Sequence, residues 1–505
     1  MIQVTQPRNT FISAATSKPA SHKAASPLMA ALRATYKGLL SGAVGLSLNY
    51  GTMAPALAQP LEPQRFPLAS QVPESIQDHP IAQAAIAKAG PVHPSHKSLE
   101  SKSLESSTSL ESSVANAPIQ LAARPNNSAE VRSIWLDRET IVNARSKEGL
   151  AKVFERFQAA GINTVFVETV NAGYPIYPSA VAPEQNPLIK GWDPLAAAVD
   201  LGKAYDIEVH AWVWIFAAGN QAHNPIVGKP ASYPGPILSA HPSWAGYDNK
   251  GNLIIPGQTK PFLDPANPEV RSYLHSLLSE IVTRYDVDGI QLDYIRYPFQ
   301  DPGANRLFGY GTAARAQFKD LTGVDPSELS PNSQDQRIRY LWNQWTAFRT
   351  QQVTSFVAET AQRLRRQDPT LKISAAVFAD DTYKRQQTLQ QDWEDWADQG
   401  LVDWIVLMSY ASSTDRFAQL IRPWLVESSY RHTQVIPGIR LLNLPPAVAA
   451  GQLQMLRDMP TNGYALFAAD NLNSEVQTML SRIQRDRQTA FSAPEPASDI
   501  SVRSR

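Results

Sequence analysis

From residue 130 onward the chain alternates between two hydrophobic rhythms. Some runs are apolar almost throughout or at every second position, and these read as strands. They are EVRSIWLD (130–137), NTVFVETV (163–170), IEVHAWVWI (207–215), DGIQLDYI (288–295), LKISAAVFA (371–379), VDWIVLMSY (402–410), QVIPGIR (434–440) and GYALFAAD (463–470). Between them, apolar residues return at helical spacing. GLAKVFERFQAAG puts Leu150, Val153, Phe154 and Phe157 on one face and stops at Gly161. NPEVRSYLHSLLSEIV offers Asn267 as cap, Pro268 in the first turn, and Val270, Leu274, Leu277, Leu278 and Ile281 on one face. Asp193-Pro194 starts another helix, a long one spans about 335–366, and QDWEDWADQG is a short one.

Eight strands, most followed by a helix, predict an α/β chain folded as a (β/α)8 TIM barrel over residues 129–486, with long insertions in its βα loops. Strands apolar throughout fit burial on both faces. An open doubly wound sheet is the runner-up, weakened because no Gly-rich phosphate loop follows the first strand. The insertions cover about 216–264, with a hairpin turn at Asp248 to Gly251, and about 297–330. Loops this long are uncommon unless functional, and together they suggest a groove suited to a polymer.

The flanks read differently. Arg33 and Lys37, an apolar stretch too short to span a bilayer, and Ala56-Leu57-Ala58 before Gln59 form the three parts of a signal peptide over residues 1–58. Residues 59–128 are rich in Pro, Ser, Ala and Gln and repeat Ser-Leu-Glu-Ser, as a disordered linker would; residues 487–505 form a similar tail. An exported protein, periplasmic, cell-envelope or extracellular, is expected, with no membrane span after signal cleavage. Lys+Arg and Asp+Glu both total 46, which argues against nucleic acid as a partner. The absence of cysteine excludes disulfides and thiolate chemistry. The barrel region has no H-x-H or H-E-x-x-H, and His93 and His96 fall in the linker, so neither a metal site nor a cofactor is expected and a metal-dependent deacetylase is disfavoured.

The chemistry belongs at the C-terminal strand ends. In GIQLDYIRYP, alternation turns Gln291 and Asp293 inward and Ile290, Leu292 and Tyr294 toward the helices. Glu168 ends the second strand, ahead of Tyr174 and Tyr177; His210, Trp212 and Trp214 share a face of the third. Asp380 and Asp381, Tyr410, Arg440 and Asp470 end the last four. Carboxyls converging with aromatics are what glycosidic cleavage needs: one protonates the leaving oxygen, and another acts as nucleophile or base. Aromatic faces stack on sugar rings. Asp293 is expected to be ionised, favoured by Arg296, with Glu168 as the acid and Asp381, then Asp380, as alternatives. Trp244 and Tyr247 are candidates for a cleft wall, and Arg440 for a clamp on a substrate carboxylate or a partner of Asp470. Trp393 and Trp396 read as core, Asp403 as a strand start, and Glu394 and Asp395 as a solvated helix face.

FVETVNAGYPIYPS, DPLAAAVDLGKAYDIEVHAWVWI, FLDPANPEVRSYLHSLLSEIV, DGIQLDYIRYP and QDWEDWADQGLVDWIVLMSY together resemble the glycosyl hydrolase-like 10 family of bacterial envelope proteins. The resemblance implies a (β/α)8 glycosidase acting on a polysaccharide, with peptidoglycan glycan strands the leading candidate. It also implies Asp293 as the leading catalytic carboxylate and His210 and Tyr410 as pocket residues. The alternative is a catalytically idle barrel that binds envelope glycan.

Overall fold

A computed structural model describes residues 130–492 apart from 427–429 and 431, and side chains as far as residue 484. The expected signal peptide and linker, and all but the start of the expected tail, lie outside the described residues. The elements run β1 (Val131–Leu136), α1 (Arg138–Ala144), α2 (Lys147–Ala159), β2 (Thr164–Asn171), β3 (Tyr174–Pro175), α3 (Pro194–Tyr205) and β4 (Glu208–Trp214). They continue with α4 (Pro236–Ala240), β5 (Ala245–Gly246), β6 (Phe262–Leu263), α5 (Pro268–Arg284), β7 (Gly289–Asp293), α6 (Thr312–Thr322), α7 (Gln336–Gln367) and β8 (Lys372–Phe378). The last are α8 (Thr382–Thr388), α9 (Trp393–Asp398), β9 (Trp404–Met408), α10 (Thr414–Leu425), β10 (Gln434–Arg440), α11 (Pro446–Arg457), β11 (Gly463–Phe467) and α12 (Ser474–Ser492). Helix α12 passes the boundary expected at 486.

Strands β1, β2, β4, β7, β8, β9, β10 and β11 pair in parallel, and β1 bonds to both β2 and β11, closing the ring. Closure makes this a (β/α)8 barrel and sets aside the open sheet. Local sequence explains the elements. β2 and β7 are buried at every position, as strands between a packed interior and a helix layer must be. Side chains cap the helices where the sequence offers them: Asp193 accepts from the N–H of Leu195 and Ala196, and Asn267 from Glu269 and Val270, each before a proline. Trp393 and Trp396 are fully buried, as predicted. Asp403 accepts the Ile373 N–H at 2.8 Å, the structural role expected of it. Glu394 differs: it lies mostly buried against the Arg385 guanidinium and the Thr382 hydroxyl. No helix among the described residues is long and apolar enough to cross a membrane.

The two insertions pack on each other. Asp264, buried in the first, accepts the backbone N–H of Ala266 and of Ala314 in α6, both at 3.0 Å. A second apolar cluster, with Trp345, Phe318, Tyr310 and Leu307, fills the space between them and α7.

Candidate active site

Inward-facing side chains rise through the barrel in layers. Gln291 accepts the Trp135 indole N–H at 2.6 Å. One layer higher, Asp293 Oδ2 accepts the Trp212 indole N–H at 2.9 Å, and Oδ1 accepts the backbone N–H of Tyr294 at 2.6 Å. Burial raises the Asp293 pKa; the two N–H donors and the charges of Arg296 and Lys260 oppose it. Arg296 therefore acts in the expected direction but is outweighed by burial. All four neighbours donate or are positive, an environment that suits the carboxylate.

Tyr294 departs from the alternation that assigned it to the helix side. The strand ends at Asp293, and Tyr294 takes a left-handed φ of 49°. Its ring then lies 4.2 Å from that of Trp214, while the Arg296 guanidinium stands 4.9 Å from it. Lys260, carried by the first insertion, sits over both rings, 6.0 Å from Trp214 and 5.8 Å from Tyr294. Burial and the charge of Arg296 push its pKa down to about 8, against the pull of Asp293. No sequence pattern singles out a lysine in an irregular loop. Across the mouth, Tyr410 packs 5.6 Å from Phe467. Its phenol is held well above the ordinary range by burial and then by Asp293, with Arg440 opposing. Asp293, Tyr294 and Arg440 thus all act on the Tyr410 phenol through their charge.

Glu168 is the second buried carboxyl. It is level with Trp212 in the β2–β4 register, and a bulge directly after it shifts the pairing. Strands β2 and β7 flank β4, two strand spacings or roughly 10 Å across the sheet. Glu168 Oε2 accepts the Arg138 backbone N–H at 2.6 Å, and Oε1 accepts the Asn171 amide. Arg138 in turn reaches His223, whose ring burial and the guanidinium charge keep neutral, with a pKa near 2. Burial lifts Glu168 to about 7 despite the charge and N–H of Arg138 and the Asn171 bond. A carboxyl poised there can give a proton near neutrality.

Residues 130–449 match the family model described as Glycosyl hydrolase-like 10. The chain belongs to this family. Glycosyl hydrolase DigH of Escherichia coli (strain K12) is 24% identical over 335 residues, covering 61% of this chain and 69% of that protein. Glycosyl hydrolase YngK of Bacillus subtilis (strain 168) is 25% identical over 201 residues, 37% of each chain. Among solved structures, the PgaB (BpsB) glycoside hydrolase domain from Bordetella bronchiseptica aligns with a TM-score of 0.49 at 12% identity, over 70% of this chain and 98% of that domain. Family membership makes the chain a glycoside hydrolase.

Within this glycosyl hydrolase-like barrel, several expected site residues lie elsewhere. His210 points inward but low. It pairs in register with Gly289, the first residue of β7, stacks 4.8 Å from Trp404 and reaches Glu208, so it packs the barrel floor. Tyr177 faces outward and donates to Glu280 of α5 at 2.9 Å. Trp244 donates to Glu269 at 2.7 Å and stacks on His241, bracing the first insertion on α5. Asp381 is an exposed N-cap of α8, accepting the Lys384 N–H, and lacks the dry surroundings an acid needs. Asp380 pairs with Lys384 at 2.6 Å. Tyr174 is buried beside His223, behind Glu168. Asp470 is exposed at the rim, its N–H donating to Asp137 at 3.2 Å. Arg138, Asn171, His223, Tyr294 and Lys260 are the contributors that strand-end reasoning missed.

Proposed function

We propose that the protein hydrolyses glycosidic bonds in a bacterial polysaccharide, with peptidoglycan glycan strands the leading candidate, using Asp293 and Glu168 as its two carboxyls. Burial raises both pKa values, but at Asp293 every charged or hydrogen-bonding neighbour opposes the rise, so it serves as nucleophile or charge stabiliser; at Glu168 the charge of Asp137 adds to the rise, to about 7, so it protonates the leaving oxygen. The observation that carries this reading is the pair of buried carboxyls on either side of Trp212, at the C-terminal end of the barrel where (β/α)8 enzymes work. Trp214 and Tyr294 supply apolar faces for a sugar ring. The basic flank and Ala-Leu-Ala site near residue 58 support action outside the cytoplasm.

The test uses purified glycan strands, with and without their peptides, and mass spectrometry of the products. Folded Asp293→Asn is expected to lose activity by about 100- to 10,000-fold. Near-normal turnover of that variant on a substrate the wild type cleaves would remove Asp293 from the mechanism.

A further inference from the structure

A row of alternating rings and cations leads from Asp293 out to solvent. It begins with Trp214 and Tyr294, whose ring centroids lie 4.2 Å apart under Lys260. The Arg296 guanidinium comes next, 4.9 Å from Tyr294 on one side and 4.9 Å from Phe299 on the other. Phe299 ends the row, edge-on to Phe378 at 5.0 Å, with 41% of its surface exposed. Single exposed apolar side chains are common and carry no meaning alone. This one is different because it continues a built series that starts at the site.

Arg296 is the second observation. It is 8% exposed and carries five N–H donors. Among the described residues its guanidinium makes one hydrogen bond, Nη1 to the Tyr297 carbonyl at 2.8 Å, and no ion pair. None of its nitrogens is among the sealed, unpaired donors of the core. A guanidinium so placed, ringed by Tyr294, Phe299, Phe378 and Phe262 and with donors to spare, matches a sugar: an apolar ring face bordered by oxygen acceptors.

We infer that Phe299 and Arg296 form an outer subsite beside the Asp293 pocket. It holds a second unit of the same glycan, ring against the open face of Phe299 and an oxygen substituent on the Arg296 N–H groups. This rests on the reading of the Asp293 site as a glycan site. It deepens that reading: the enzyme grips a chain, and efficiency rises with chain length until this subsite is filled.

The experiment uses the full chain and glycan strands stripped of peptides and fractionated by length. The readout is the ratio of kcat/KM on long fractions to that on the shortest fraction cleaved. Phe299→Ala should lower this ratio about 10-fold, chiefly through KM, and Phe299→Trp should restore it. Arg296→Lys, which keeps the charge but loses the planar fork, should lower it too. If Phe299→Ala reduces kcat/KM equally at every length, or leaves the ratio unchanged, the subsite is overturned while the catalytic reading stands. If the wild type cleaves no fraction, binding to Asp293→Asn is followed by tryptophan fluorescence. Length-dependent binding weakened by adding Phe299→Ala supports the subsite alone, and no binding of any fraction overturns both.

Discussion

The Trp212 indole donates to Asp293 Oδ2 at 2.9 Å across the β4–β7 pair. Trp212 stands opposite Gln291, not Asp293, in the strand register, so the bond is diagonal and fixes the carboxyl above the closed interior. Trp212→Phe keeps an aromatic ring and removes the donor, leaving a small cavity where the rest of the indole lay. We expect kcat to fall about 10-fold, the range of one lost hydrogen bond to a charged group. The acid limb of the pH profile should move up, because the indole N–H is one of the groups that oppose the rise caused by burial. A lower kcat with an unshifted acid limb would show that Trp212 only packs.

Gly289 begins β7 where His210 fills the floor. A Cβ there would stand 2.4 Å from His210 Nδ1 and 2.7 Å from the Lys372 carbonyl oxygen. The backbone contact cannot be relieved by a side-chain rotation, so overpacking of about 1–3 kcal/mol is expected for Gly289→Ala. At about 2.1 cal/mol/K of unfolding entropy per residue, a domain this large loses only about 1–2 °C of Tm per kcal/mol. Asp293 is four residues further, roughly 13 Å along the strand. A Gly289→Ala melt within about 0.5 °C of wild type would be incompatible with that packing.

The barrel was legible because its strands are buried on both faces and its helices begin at Asp-Pro and Asn-Pro caps. Seven of the eight predicted runs contain their barrel strand whole, and β2 runs one residue past the end of the remaining run, to Asn171. The site was legible only in part. Alternation tells which face a side chain takes, not how deep it sits, so His210 and Trp212 looked equivalent although one packs the floor and the other holds Asp293. Tyr294 escaped because one left-handed residue reverses the pattern. Tyr177 and Trp244 stand in irregular segments, where spacing carries no direction, and both turn to helix α5. Lys260 reaches the mouth only through the tertiary path of a long insertion.

Asp264 ties the two insertions together. Asp264→Ala leaves two buried N–H groups unpaired, each costing about 1–3 kcal/mol. Early proteolytic cleavage between residues 215 and 330 should follow. Burial lifts the wild-type carboxyl to about 6, against the two N–H bonds. Between the ordinary Asp value of about 4 and that value, the folded state binds more protons than the unfolded state, so stability falls as pH rises through the window. Asn cannot titrate. The Tm gap between wild type and Asp264→Asn should therefore narrow from pH 4 to pH 6, and a constant gap would show that the carboxyl titrates normally.

The proton on Glu168 supplies the last prediction. Its folded pKa is raised to about 7, with burial the largest cause. As general acid it acts only when protonated, so kcat/KM should decline as pH rises through about 7. Glu168→Gln removes the proton while keeping the acceptor for the Arg138 N–H. That variant should lose activity by about 100- to 10,000-fold and lose the limb near 7. A residual basic limb near 8 would come from Lys260, whose pKa burial and Arg296 depress to about 8, and Lys260→Met should abolish it. A substrate with a good leaving group needs no acid. On an activated aryl glycoside that the wild type accepts, Glu168→Gln should recover most of the lost rate, whereas Asp293→Asn should not. If Glu168→Gln stays equally impaired on that substrate and its pH profile keeps the limb near 7, then Glu168 is a positioning residue held by Arg138 and Asn171, and the proton comes from elsewhere.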